Sequence, residues 1–352
     1  MRMSARALLI VAAVAMAAAA GCAAGNMRPK LYLRLPDECN TPDGMTLDDK
    51  NNIILACPNF NEDKYPAVLM KIDPKGNLTK FFDMPLHPET KKAGPMGLDF
   101  GPDGNLYVAD NQYFSSKDYK SRLIRVSIKD GKPSGADVAV EGLKLANAVI
   151  WRGNYVYVSD TFLDVPGKPG MSGIWRFSIE ELKQGTVKVK PGLDDPHLIA
   201  TFQTAPNHRG DFAGADGLTF DAKGNLYTGN FGDGAFSRIE FDADGKVVSN
   251  AVLIKCPQMP CVDGIFYDCK TDRILVADSE RNAIHAVTPD GKLETLWVND
   301  DTDGSDGLLD QPCEVLIRGN QLIIVNFDMS FPGLKNSKYD KWHTLCVITL
   351  DR

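Results

Sequence analysis

No apolar run in this 352-residue chain reaches the ~20 residues that a transmembrane helix needs; the longest, Ala7 to Ala20, stops short. There is no C-x-x-C pair, and the five histidines are scattered, which disfavours zinc. G-x-S-x-G, a Walker loop, G-x-G-x-x-G and H-E-x-x-H are all missing, so the serine-hydrolase elbow, phosphate-cradling loops and the zincin helix are set aside. Positive charge is also scarce. The net charge is −7 with no basic patch to reverse it, which argues against nucleic acid as a partner.

What the chain does have is a repeat. Six short apolar strands each follow a lead residue: Asp43-Gly-Met-Thr-Leu, Met96-Gly-Leu-Asp-Phe, Asn147-Ala-Val-Ile-Trp, Asp216-Gly-Leu-Thr-Phe, Asp263-Gly-Ile-Phe-Tyr and Glu314-Val-Leu-Ile-Arg. The leads advance by 53, 51, 69, 47 and 51 residues, and most segments are followed by a polar turn and a second strand. A period near 40–50 with several short strands per unit is the signature of a β-propeller. The 31 glycines and 21 prolines supply the turns that such a fold consumes. The first unit reads as four strands, at 44–48, 52–57, 68–73 and 78–83, with Asp73-Pro-Lys-Gly-Asn77 as the last turn.

The chain ends complete one another. The last unit has strands at 315–318, 321–327 and 344–350 and stops one short, while Lys30-Leu-Tyr-Leu-Arg-Leu35 precedes the first unit without one of its own. The expectation is an all-β, six-bladed propeller over residues 30–352, its last blade closed by the N-terminal strand so that no sheet edge is left open. Two stretches exceed what connection requires: Phe162 to Met171, and about Gly192 to Gly214 with His197, His208 and Arg209. Seven cysteines lie beyond Cys22, an odd number; Cys256 with Cys261 and Cys39 with Cys313 are the candidate pairs.

Residues 1–21 read as an export signal, with Arg2 and Arg6 ahead of the apolar run. Ala19-Ala20-Gly21-Cys22 resembles a bacterial lipobox, so Cys22 is the expected lipidation site and 22–29 a tether. Ala19 stands where Leu is usual, and plain secretory cleavage is the alternative. Removal of 1–21 shifts the balance from −7 to −9. The expected location is the bacterial cell envelope, with membrane contact only through the anchor and the chain a monomer.

In a propeller, equivalent positions on the inner strands converge on the axis. Asp43, Asn147, Asp216, Asp263 and Glu314 would then surround one point with oxygen donors, which suits Ca²⁺ or another divalent cation. Without a cation, clustered buried carboxylates are pushed toward protonation. The competing reading is that Asp-Gly is a favoured hairpin turn. Against it, Asp43, Asp216 and Asp263 share one register, and each strand they open ends in a turn of its own.

This pattern over residues 30–350 resembles the superfamily of gluconolactonases, the senescence marker protein (regucalcin), luciferin-regenerating enzyme, paraoxonases and strictosidine synthases. The resemblance implies a six-bladed fold and, in its lactonases, a catalytic divalent metal held by an acid, two Asn and an Asp from blades one, three, four and five. Asp43, Asn147, Asp216 and Asp263 occupy those slots, with Asp43 shorter than the usual Glu and Asp216 replacing Asn. It further implies hydrolysis of a lactone or ester, with Asp263 as general base and His208 as a substitute from the long loop. Met96 stands where paraoxonases place a His, which argues against their chemistry. The alternative is a non-catalytic propeller that binds a ligand or protein around a structural calcium.

Overall fold

The computed structural model describes residues 27–62 and 64–351. The export signal and Cys22 lie outside them. Among the described residues no helix is long and apolar enough to cross a membrane.

Six sheets, each built on four antiparallel strands, form the blades of a β-propeller, the fold expected from the repeat; blade two gains a short fifth strand, Val187–Lys188, paired in parallel at its outer edge. Blade one runs through Met45–Leu47, Ile53–Cys57, Val68–Ile72 and Leu78–Asp83. The inner strands of blades two to six are Pro95–Phe100, Ala146–Arg152, Ala215–Phe220, Ile265–Asp268 and Pro312–Arg318. Blade six closes as anticipated: Lys30–Leu35 pairs antiparallel with His343–Thr349, from Lys30 opposite Val347 to Leu35 opposite His343. Asp side chains hold the turns between strands. In the last turn of blade one, Asp73 Oδ1 accepts the N–H groups of Lys75 and Asn77, and Gly76 supplies the left-handed residue (φ 85°).

The core is divided among the interfaces between blades. On the second strand of blade one, Ile53, Leu55 and Cys57 point toward blade six, while Ile54 and Ala56 point toward blade two. All five are fully buried. This period-two split is why the second strands read as unbroken apolar runs: each is covered on both faces. Each fully buried Leu or Ile contributes ~1.5–3 kcal/mol, so every blade depends on both neighbours.

Four departures from the expectation have local causes. The stretch Phe162–Met171 is the end of a long hairpin, with Val165 opposite Lys168, and so is strand more than loop. Within 192–214, Leu198–Gln203 is the outer strand of blade three, which leaves 204–214 as the connection. A short helix, Ile179–Gln184, is inserted before it; Ser178 and Glu181 form a capping box that the sequence displays. All seven cysteines beyond Cys22 are free thiols. Cys39 lies beside Cys57 instead of bonding to Cys313, and burial together with that thiol pushes Cys57 up.

At the axis the inner strands crowd one another. A Cβ on Gly44 would lie 2.5 Å from the Met96 carbonyl oxygen, one on Gly97 2.7 Å from Ala148 Cα, and one on Gly217 2.4 Å from the Asp263 carbonyl oxygen. One on Gly264 would meet the Glu314 carboxylate at 2.4 Å. None of the four has positive φ, so these glycines serve close approach and not a turn. Gly97→Ala should therefore cost roughly 1–3 kcal/mol by overpacking. Gly135→Ala, on an outer strand with open space around it, should be close to neutral. Urea unfolding of the two variants checks this; equal midpoints would remove the collar from the stability argument.

Candidate functional site

Each lead residue sits immediately before its collar position, on the same side of the collar. In blades two, three and four the ladder slips at this point: Pro95 pairs with Asp110 but Leu98 with Val108, and the same shift recurs at Ala146/Val149 and Ala215/Leu218. The bulge leaves the lead residue out of the ladder and turned toward the axis. Asp43, Met96, Asn147, Asp216, Asp263 and Cys313 consequently line one cavity of about 260 Å³.

The sixth member differs from the expectation by one residue. Val315 pairs with Ile324, two before Asn326, just as Leu98 pairs with Val108, two before Asp110. Cys313 is thus the lead residue of blade six, and Glu314 occupies the position that is Gly in blades one, two, four and five. The Glu314 carboxylate lies against Gly264, accepts the Val315 N–H (2.7 Å), and lines a smaller cavity of about 120 Å³ beyond the collar.

Asp43 and Asp216 are buried and Asp263 is partly buried, and no cationic side chain lining the cavity among the described residues is free to balance them. Burial, then the neighbouring Asp263, pushes Asp43 well above the usual carboxylate range. Asp216 is raised by burial and by Asp263, Asp43 and Glu314 together. Burial raises Asp263 to about 7, with Ser279 and Asp216 hydrogen bonds acting against it. Glu314 is raised as well, first by burial and then by Asp43 and Asp263. Asp216 and Asp263 are within hydrogen-bonding reach of each other. Among the described residues the one arginine in the cavity wall, Arg209, is engaged elsewhere: Glu280 is 3.0 Å away, its Nη2 donates to the Phe231 carbonyl (2.6 Å), and it stacks on the Phe231 ring. An all-oxygen, acidic, buried donor set of this kind fits a hard divalent cation such as Ca²⁺. Asp43, Asn147, Asp216 and Asp263 are the residues placed to hold it.

Orientation comes from residues that the repeat did not single out. Ser279 Oγ lies 2.6 Å from Asp263 Oδ2 and 2.7 Å from the Pro312 carbonyl. Asn147 Nδ2 is 3.5 Å from Thr161 Oγ1, whose own hydroxyl donates to the Ala215 carbonyl (3.0 Å). Donation through nitrogen leaves the Asn147 amide oxygen for the cavity. Both hydroxyls directly follow an Asp on a second strand, Asp160 within Tyr155–Val165 and Asp278 at the end of Arg273–Asp278, and that spacing is the signal that could have found them. Such second-strand Asp and Asn residues themselves brace backbone. Asp110 Oδ1 accepts the Gly94 N–H (2.8 Å), Asp160 accepts those of Lys144 and Leu145, and Asn326 Oδ1 accepts that of Asp310. Each tie holds the loop that delivers the next lead residue of the same blade.

The outer wall is aromatic. Tyr113, Phe114, Phe162, Phe231, Phe327 and Phe331 line the cavity, with Tyr113 stacked on Phe162 at 4.7 Å. Asn111 also faces it, with a buried Nδ2 that has no partner. His208 does not line it. Its side chain is 64% exposed and pairs with Glu280 at 3.3 Å, so it is not placed to exchange a proton in the cavity.

A sequence model of the SMP-30/gluconolactonase/LRE-like region matches residues 74–264, more than half of the chain. Among solved structures, a luciferin-regenerating enzyme superposes with TM-score 0.62 at 12% identity over 92% of this chain and 95% of its own. A gluconolactonase from Xanthomonas campestris gives 0.57 at 12% over 92% and 95%. The calcium-binding protein regucalcin from Agrobacterium tumefaciens gives 0.56 at 14% over 91% and 92%. Identities this low show the fold alone. No curated protein sequence matches the chain.

The brace at Asp110 can be tested separately. Its Oδ2 pairs with the Arg122 Nε at 2.8 Å, and both side chains are almost fully buried. Asp110→Ala should destabilise by ~3–5 kcal/mol, because it strands a buried guanidinium. Denaturant melts measure this, and a loss under 1 kcal/mol would mean the pair contributes little.

Proposed function

The chain belongs to the SMP-30/gluconolactonase/LRE-like family, and within it we propose a calcium-dependent lactonase or esterase whose centre is the lead-residue ring. The observation that carries this reading is the gathering of Asp43, Asn147, Asp216 and Asp263 in one buried cavity without a free cationic side chain. Fold-level likeness to a gluconolactonase agrees with it but does not by itself assign chemistry.

Bound there, a divalent cation would supply Lewis acidity toward the carbonyl of a lactone or ester. The protein's part is as follows. Asp43, Asn147, Asp216 and Asp263 hold the oxygens in place, with Thr161 and Ser279 fixing the orientation of Asn147 and Asp263. Asp263 accepts the proton of the attacking water. Asp216, within hydrogen-bonding reach of Asp263, gives that proton a second acceptor. Asn111 offers an N–H to a substrate oxygen, and the aromatic wall accommodates an apolar ring or acyl portion while excluding bulk water. The substrate class is accordingly a lactone or ester with an apolar face.

Activity is expected against a panel of sugar lactones, acyl lactones and aryl esters, lost on chelation and restored by Ca²⁺. Chelation should also lower the melting temperature, since a ligand bound only to the native state stabilises it. Asp263→Asn should reduce kcat at least a hundredfold with the fold intact. Full retention would remove Asp263 from the mechanism. Calcium binding by calorimetry without hydrolysis of any panel member would favour the non-catalytic binding propeller.

Export and lipid anchoring at Cys22 in the cell envelope belong to the same proposal, supported by the charged and apolar pattern of residues 2–22. Radiolabelled palmitate should enter the wild-type chain and not Cys22→Ala. Absence of label from both would mean a chain without the anchor.

A further inference from the structure

Blade six carries a second group of acids, remote in sequence from the ring acids of the other blades. Asp310 lies just before its inner strand, Asp328 just after its second strand Gln321–Asn326, and Asp340 at the end of the segment leading to its third strand. Oxygen atoms from the three lie within 4.8 Å of one another, closer than the ring carboxylates come as a set among the described residues. That span equals the diameter of a sphere of ~2.4 Å radius, the distance at which oxygens ligate Ca²⁺.

The side chains show what they lack. Asp310 is fully buried, its N–H fixed on Asn326, yet neither carboxylate oxygen has a hydrogen-bond partner. Asp340 gives Oδ1 to Lys338 (3.1 Å), and its buried Oδ2 has no partner. Asp328 is held by the Asp340 N–H (3.1 Å) and by Asn336 Nδ2 (3.4 Å). A further group outside the acids is aimed the same way. His343, 3% exposed, has an unpartnered Nδ1 3.9 Å from Asp328 Oδ2. Three carboxylates against one Lys leave up to two negative charges to be met, and a buried carboxylate without donors either takes up a proton or is met by a cation.

We propose that Asp310, Asp328 and Asp340 hold a second divalent cation, of the oxygen-preferring class of Ca²⁺, which ties the 328–342 segment to the frame of blade six. The consequence reaches the cavity. This segment carries Phe331 and Pro332 into the cavity wall, and Gly333 packs against the Arg209 side chain. An ion at this site therefore sets one wall of the substrate cavity without touching the ring. The inference does not depend on the chemistry assigned to the ring.

The test uses the chelated full chain, titrated with Ca²⁺ by calorimetry and followed by hydrogen–deuterium exchange over residues 328–342. Asp340→Asn and Asp310→Asn should each lose one class of site, whereas Asp216→Asn should keep it. Ca²⁺ should slow exchange in 328–342 at least tenfold in wild type and in Asp216→Asn, but not in the other two. Unchanged calcium uptake in both Asp340→Asn and Asp310→Asn overturns the proposal, and an accompanying gain in stability would mean that the acids share protons instead. Exchange in wild-type 328–342 that ignores Ca²⁺ overturns it too, even if a variant fails to fold. A wild-type chain with a single site, removed by Asp340→Asn, would support this site and count against the ring.

Discussion

The crowding of six inner strands around one axis is the constraint from which the rest follows. With backbone atoms 2.4–2.7 Å from where a Cβ would sit, four of the six collar positions can only be glycine. The lead residue before each is released from its ladder and turned to the axis. Close approach therefore does two things at once. It narrows the channel, and it assembles six side chains separated by 47 to 69 residues into one ring. The blades can close this tightly because apolar layers fill the interfaces between them, and the last blade is sealed by the strand Lys30–Leu35.

Having converged, the ring is electrostatically incomplete. Asp43, Asp216, Asp263 and Glu314 all have pKa values displaced upward by burial and by one another, and Arg209 is already neutralised by Glu280 and Asp211. Such an arrangement is costly as bare carboxylate and becomes favourable with a divalent ion. Blade six repeats the situation on a smaller scale, with Asp310 buried and without a donor. Acid placed where water cannot reach it is the recurrent device of this molecule, and both instances flank the same cavity wall.

Rigidity and variation are separated in the usual propeller manner. The braces from second-strand Asp and Asn residues fix the loops that deliver the ring, so the ring positions are set by sheet geometry. The cavity above them is shaped by longer connections: the 204–214 loop with Arg209, the hairpin bearing Phe162, and the 328–342 segment with Phe331. Under the proposed function, substrate preference would be a property of connections that can change without disturbing the ring.

Much of this could be read from the residues alone. Strand alternation, turn chemistry and a constant register are local and periodic, so six blades, the closing strand and the oxygen-bearing positions at 43, 147, 216 and 263 were legible. Tertiary structure decided what periodicity cannot carry. A bulge of one residue makes Cys313 the lead of blade six and sends Glu314 past the collar, because side-chain direction reverses with each residue of register. The turning of His208 to solvent, the company of Cys39 with Cys57, and the meeting of Asp310, Asp328 and Asp340 depend on where non-repeating loops pack. Repeated segments announce their geometry because each copy obeys the same short-range rule. Connections occur once, and only the folded surroundings determine what their side chains meet.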